Sequence, residues 1–264
     1  MLFLFELIIL AIFQGIGEIL PISSSGHLIM IQSLFNIDSE NMVIEILLHL
    51  ASLVALTFYY FDFIKNMIVK VFLYLFKNKK EHYKEWNYFT TIIISSIPTC
   101  LIGLILNNYL DKLASYVSIL LIFNGFLLLI IRNKDNSKNI EDLTFKDKVK
   151  LGISQSLGLI PGISRSGSSL LGCNIIKLNK EDSFNLTFLL LFPLVIGSLV
   201  LNVNDFVIDI NLIIPYIIIF LITFITTYIS MCLLHNVVSK GKSKIFGLYC
   251  VSIGVIYSII LLVI

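Results

Sequence analysis

Apolar residues run through this chain in long blocks, and the polar residues that separate them come in clusters rather than at a helical or strand period. Six blocks, 42–61, 88–106, 116–132, 182–200, 212–235 and 245–263, read as helices that cross a bilayer, whose hydrocarbon core takes about 20 residues of helix. Two other blocks, 3–36 and 148–178, break this pattern. Each has an apolar run, a Pro/Gly/Ser interruption and a second, shorter apolar run. Neither piece has the length of a secure crossing, so a helix–break–helix that enters and leaves by one face fits better. Irregular backbone at membrane depth is tolerated only where protein or a watery cavity covers it.

Composition supports this layout. Hydrophobic residues make up 57% of the 264, charged residues 14%, and mean hydropathy is +0.94, too little polar surface for a soluble domain. The expected fold is all-α, a polytopic membrane protein. The net charge of +2 comes with no basic stripe that would suggest nucleic acid. Cys100, Cys173, Cys232 and Cys250 are far apart in apolar surroundings, match no CxxC or disulfide pattern, and are expected to be buried spectators. The first residues, Met1-Leu-Phe-Leu-Phe-Glu-Leu, lack a basic leader region, so a cleaved signal peptide is not expected.

The charges between blocks orient the chain. Seventeen of the 19 Lys and Arg fall in 62–88, 132–150, 177–182 and 236–244. The connections 36–45, 107–115 and 202–211 carry Asp38, Glu40, Glu45, Asp111, Asp205 and Asp209. The basic set belongs in the cytoplasm. Six crossings then leave both termini outside, with the first hairpin opening outward and the second inward. The halves, 1–132 and 148–264, become inverted repeats, which place their sites near the midplane at the broken helices. A weaker echo agrees: Ser96-Ile-Pro98 and Leu191-Phe-Pro193 each follow a hairpin. The segment Lys77 to Trp86 reads as a headgroup-facing connector, and 133–150 as an amphipathic approach to the second hairpin.

The two interruptions are related in sequence. Gln14-Gly-Ile-Gly-Glu18-Ile-Leu-Pro21-Ile-Ser23-Ser24-Ser25-Gly26-His27 aligns without a gap, at an offset of 141, to Gln155-Ser-Leu-Gly-Leu-Ile-Pro161-Gly-Ile-Ser164-Arg165-Ser166-Gly167-Ser168. Seven of the fourteen positions are identical. The first copy alone holds Glu18 and His27, and the second alone holds Arg165. An acid, an imidazole and a guanidinium brought together from two halves suit the handling of an anion.

Arg165 is the strongest pointer. An arginine at bilayer depth costs about 2.5–3.5 kcal/mol on insertion scales. Its small neighbours Gly162, Ser164, Ser166 and Gly167 let backbone N–H groups converge on an anion at a helix start, and a guanidinium adds a two-pronged donor for phosphate. A structural pair with a buried carboxylate is the alternative. In the mirror position, Ser23, Ser24 and Ser25 are more hydroxyls than helix capping requires. Ser24 aligns with Arg165 and is a candidate nucleophile, with Ser23 its close competitor. His27 is the candidate acid/base, although a lone histidine in an apolar segment is commonly a satisfied core residue. Gln14 and Glu18, four apart, share a helical face. Glu18 needs a partner there: a divalent cation bridging to phosphate, Arg165, or a proton. Mg2+ would use one or two carboxylates with phosphate oxygens and water. His49, with Glu45 one turn earlier, is a second-tier candidate. His82 and His235 read as solvated, and Asn124 and Asn185 as interhelical glue.

Gln14-x-x-x-Glu18-x-x-Pro-x-Ser-Ser-x-Gly-His27 together with Pro161-Gly-x-Ser-Arg165-Ser-Gly167 resembles the undecaprenyl-diphosphate phosphatase family, also known as bacitracin-resistance proteins. The likeness covers nearly the whole chain, including Glu45 to Val54 and Phe184 to Pro193. It implies inverted repeats with six transmembrane helices and two re-entrant helical hairpins. It also implies hydrolysis of a C55 isoprenyl diphosphate at a site open to the extracytoplasmic side of the bacterial plasma membrane. That activity recycles a lipid carrier for cell-wall synthesis and confers bacitracin resistance. Carried over by position, Glu18 and Gln14 become metal or acid sites for a divalent cation, Mg2+ or Ca2+. Ser24 and His27 become nucleophile and acid/base, and Arg165 with Ser164 and Ser166 binds phosphate. Gln14 stands where the family often has Glu, which weakens the case for metal binding by charge there. A homodimer is left open. The rival reading is a lipid-phosphate flippase or small-anion transporter, since inverted repeats and broken helices also build transporters. A non-catalytic scaffold leaves the Ser/His/Arg group unexplained.

Overall fold

The computed structural model describes residues 2–35, 42–77, 79–106, 109–131, 137–201, 208–239 and 244–263. Asp38, Glu40, Arg132, Lys134, Asp205, Lys240 and Lys242 lie outside the described residues, as do the side chains of Asp111 and His235. Among the described residues the chain is all-helical, with one isolated bridge between Lys138 and Leu178 and no strand.

The first interruption lies between α1 (Leu2–Ile19) and α2 (Ser24–Phe35). Next come α3 (Met42–Tyr59) and α4 (Phe61–Phe76), bent by 73° at Tyr60, then α5 (Tyr83–Leu106), the short α6 (Leu110–Ala114) and α7 (Val117–Ile130). The second interruption separates α8 (Phe145–Ser156) from α9 (Arg165–Ile175), with a 3-10 turn at Leu157–Leu159. The chain closes with α10 (Lys180–Leu189), α11 (Leu191–Leu201), α12 (Ile213–Ser239) and α13 (Lys244–Val263).

Four of the described helical stretches are long and apolar enough to cross a membrane: Lys80–Leu106, Lys180–Leu201, Ile210–Leu233 and Lys244–Leu262. The bent pair α3–α4 makes a fifth if counted as one span, and α7 is apolar but shorter. Helices thus stand at all six predicted blocks, while length and composition support four or five crossings. Apolar side chains such as Phe76, Ile105, Ile214 and Leu262 face outward, as lipid contact requires.

Packing interleaves the ends of the sequence. α1 lies against α12, α8 against α5, α3 against α12, and α7 against α13. Each broken segment is therefore held by a helix from the other half of the chain. Buried Leu7, Leu10, Ala11 and Ile219 seat the first. Tyr88, Ile92, Leu151 and Cys173 seat the second.

Polar bonds fix where α8 begins. Thr144 caps it, accepting from the Asp147 N–H while the Asp147 carboxylate accepts the Thr144 N–H. Such caps satisfy N–H groups that a helix start leaves unpaired. Lys148 Nζ is buried and donates to Asn87 Oδ1 (2.6 Å) and Thr90 Oγ1 (2.7 Å) on α5. The Asp182 carboxylate accepts from the Ile140 N–H (2.9 Å), Asn179 Nδ2 (2.7 Å) and the Tyr88 hydroxyl, tying the approach to α8 onto α5 and α10.

The cysteine expectation holds for two of four. Cys173 and Cys250 are buried, whereas Cys100 and Cys232 are exposed on apolar helices. Hydropathy alone does not separate a lipid-facing position from a core one, because both are apolar.

Candidate active site

The two interruptions meet and are built alike. Ser23 Oγ accepts from the Gly26 N–H (3.2 Å), and Ser164 Oγ accepts from the Gly167 N–H (3.1 Å). Ser25 Oγ then lies 3.4 Å from Ser23 Oγ, and Ser166 Oγ 3.0 Å from Ser164 Oγ. The conserved pairs Ser23/Ser164 and Gly26/Gly167 thus cap α2 and α9. Glycines at mirror positions let each break fold back on its own helix. A Cβ on Gly17 would sit 2.9 Å from Ser24 Cα, and one on Gly158 2.5 Å from Arg165 Cα. Asn124 on α7 joins the two: its Nδ2 donates to the Pro21 carbonyl (3.3 Å), and its Oδ1 accepts from the Ser164 N–H (3.0 Å). It is glue, as expected, but between the hairpin tips.

Glu18 is the hub. Its side chain is 2% exposed. Oε2 accepts from Ser24 Oγ at 2.8 Å and from Gln14 Nε2 at 3.0 Å. Oε1 faces Arg165 Nη2 at 3.4 Å. An unpaired carboxylate would be very costly here, and the guanidinium from the other half of the chain offsets that cost. Glu18, Ser24 and Arg165, flagged separately in the sequence, therefore form one constellation, and the guanidinium makes the pair with a buried carboxylate that was posed as its alternative role.

The imidazole beside this group is His49, not His27. His49 Nε2 lies 3.7 Å from Glu18 Oε2, while its Nδ1 donates to the Glu45 carbonyl at 2.9 Å. That bond presents Nε2 toward Glu18. His27 turns away from Ser24: its Nδ1 is 2.8 Å from the Ser23 carbonyl and its Nε2 is 2.9 Å from the Tyr249 hydroxyl. The ring stacks between Phe13 and Tyr249. With both nitrogens engaged, this arrangement offers Ser24 no base at His27. It holds the carbonyl of Ser23, whose φ of 68° is uncommon for a residue with a side chain.

A cavity of about 290 Å³ opens over the cluster, lined by Glu18, Ser23, Ser24, Ser25, Ser164 and Arg165 together with Glu45, His49 and Ser198. A second, of about 160 Å³, is lined by Glu45, His49, Arg165, Val195 and Ser198 among others. Gln14, His27, Gly162 and Gly167 line neither. Ser166 faces a smaller space behind Arg165. Ser198 carried no signal in the sequence beyond a lone hydroxyl in an apolar block. Glu45 and His49 carried a stronger one, a polar pair one turn apart.

Among the described residues, no group of three or more His, Cys, Asp or Glu could hold a metal ion unaided. Glu18 Oε1 has no hydrogen-bond partner in the protein, and Glu45 lines the same cavity. That donor set fits a cation sharing its shell with phosphate oxygens and water, as Mg2+ commonly does. Gln14 is fully buried and reaches the cavity only through Glu18.

Comparison with known proteins finds a family and full-length relatives. The family model described as "Bacitracin resistance protein BacA" matches residues 7–256. Undecaprenyl-diphosphatase 2 of Bacillus thuringiensis (strain Al Hakam) is 35% identical over 265 residues, 98% of each chain. The undecaprenyl-diphosphatase of Oceanobacillus iheyensis is 32% identical over 96% of this chain and 95% of its own. That of Carboxydothermus hydrogenoformans is 33% identical over 95% of each.

Proposed function

This chain belongs to the bacitracin resistance protein BacA family, and from that membership we propose that it hydrolyses undecaprenyl diphosphate to undecaprenyl phosphate and inorganic phosphate. The activity recycles the lipid carrier of cell-wall synthesis and confers bacitracin resistance. The observation that carries the reading to the residues is the hydrogen bond from Ser24 Oγ to Glu18 Oε2 beside the Arg165 guanidinium.

The terminal phosphate enters the cavity against Arg165, whose fork pairs with two phosphate oxygens. Glu18 Oε2 takes the Ser24 proton as Oγ attacks phosphorus in line. The bond from phosphorus to the bridging oxygen breaks, and undecaprenyl phosphate leaves with the electron pair. Glu18 releases that proton to the departing undecaprenyl phosphate. Water then attacks the phosphoserine and gives a proton to Glu18, which passes it to Ser24 Oγ as the phosphorus–Oγ bond breaks, and phosphate departs. Gln14 Nε2 holds Glu18 in register, and Arg165 stabilises charge on the transferred group, the main task in phosphoryl transfer. A divalent cation, Mg2+ or Ca2+, held by Glu18 with Glu45 across the cavity, would supply further charge neutralisation. A lipid diphosphate places its tail in the bilayer and its head in such a polar cleft.

The same reading makes α1–α2 and α8–α9 re-entrant hairpins and the remaining apolar blocks six crossings. Residues 1–132 and 148–264 are then inverted repeats in the bacterial plasma membrane, with the cavity open to the extracytoplasmic side. Three observations support it: the offset of 141 between the two motifs, their shared capping, and the packing of each hairpin on a helix of the other half.

Phosphate release from undecaprenyl diphosphate by the detergent-solubilised chain tests the function, since detergent abolishes compartments. Release is expected, with loss on EDTA treatment and return on adding Mg2+ or Ca2+. A transporter without hydrolysis releases none. Gly158→Ala probes the hairpin geometry. Its Cβ meets Arg165 backbone, so the guanidinium must move, and a shift of about 1 Å costs about 10²-fold in turnover. A lowered melting temperature, because backbone 2.5 Å away must give, and turnover lost in the fraction that stays folded are the expected pair of results.

A further inference from the structure

Gln155 is buried at 1% exposure, and the proposed reaction gives it no task. It is the mirror of Gln14, yet the two are used differently. Gln14 has Glu18 four residues on and donates to it. Gln155 has Leu159 there, and its Nε2 turns instead to the Leu190 carbonyl at 3.3 Å. Its Oε1 is left without a partner in the protein. Gln155 lines a small space behind Arg165 that Glu18, Ser169 and Thr187 also line. That space measures about 10 Å³, room for about one water. Glu18, which also lines it, has an Oε1 that is ion-paired with Arg165 Nη2 but accepts no hydrogen bond.

The geometry points to Gln155 as a positioning residue that, through one bound water, fixes Glu18 and Arg165 against each other. One O–H of the water answers Gln155 Oε1, the other reaches Glu18 Oε1 beside its ion pair with Arg165, and its lone pair accepts from the Arg165 guanidinium. Buried waters commonly make about three such bonds. The second copy thus carries the glutamine without the acid, and its side chain serves the acid of the first. Gln155 lines neither of the two larger cavities at Arg165, so the effect falls on catalytic alignment rather than on binding.

This inference rests on the hydrolytic reading above, and its test separates the two. Gln155→Met keeps the length of the side chain and removes the acceptor together with the donor to the Leu190 carbonyl, and the melting temperature reports the loss of the latter. In the full chain in detergent, kcat on undecaprenyl diphosphate should fall about 10-fold while KM stays within about twofold, the range seen when supporting partners of an active site are removed. Unchanged kcat overturns the inference, as does a rise in KM that tracks a lowered melting temperature. A density map of the parent chain decides the matter even if the variant does not fold. One water within hydrogen-bonding distance of Gln155 Oε1 is expected, and a dry space overturns it. If the parent chain releases no phosphate, the hydrolytic reading fails while the map still decides on the water.

Discussion

Ser24→Ala is expected to lower phosphate release from undecaprenyl diphosphate by about 10⁴-fold or more, the scale seen when a nucleophile is removed from an otherwise intact site. The choice of Ser24 over Ser23 rests on what each hydroxyl already does. Ser23 Oγ accepts the Gly26 N–H at the start of α2, and its backbone is held at φ 68°. Ser24 Oγ lies in the cavity, 2.8 Å from the carboxylate oxygen that would take its proton. Ser23→Ala should therefore act mainly through stability, costing about 1 kcal/mol as a lost cap, with turnover largely kept. Acid quenching of the parent enzyme during turnover, followed by mass spectrometry, should find phosphate on Ser24. No phosphoserine, together with near-normal turnover in Ser24→Ala, means that water attacks directly.

The contrast between the two histidines shows what the sequence could and could not carry. Glu18 and Arg165 stood out because a charge in an apolar block is costly wherever the block ends up, and that cost is independent of fold. The shared capping was legible too, since Ser23/Ser164 and Gly26/Gly167 recur at one offset and a cap is local. His27 and His49 each lie close in sequence to a polar neighbour, and nothing local distinguishes them. Tyr249, 222 residues away, takes His27, while α3, packed on α1 and α12, carries His49 to Glu18. Such long-range pairings depend on how helices dock, which a single sequence does not record. The bend at Tyr60 was hidden for a related reason, because neither Pro nor Gly stands at the break between α3 and α4. Gln155 sat in the quoted motif without a role, since the carbonyl it donates to, that of Leu190, lies 35 residues away on another helix.

Arg165→Ala is expected to reduce kcat/KM by about 10³- to 10⁵-fold, the range for losing an arginine that stabilises a phosphoryl transition state. Arg165→Lys should recover only part of this, because an ammonium supplies charge without the planar fork. Stability complicates the alanine variant. Glu18 is nearly sealed from solvent, and removing one partner of a buried pair costs about 3–5 kcal/mol when the other charge stays behind. Arg165 itself is 23% exposed, so the loss should fall toward the low end of that range. The double variant Glu18→Gln/Arg165→Ala leaves no such charge, and its melting temperature should rise above that of Arg165→Ala alone. Its turnover should stay at the floor, because both the base and the phosphate clamp are gone. Stability regained in the double variant traces the cost of Arg165→Ala to the unpaired Glu18 carboxylate, and turnover lost in the folded fraction of the single variant assigns the guanidinium to the reaction. Turnover that survives in the folded single variant removes Arg165 from the mechanism, and with it the reason for bringing the two halves of the chain together at this point.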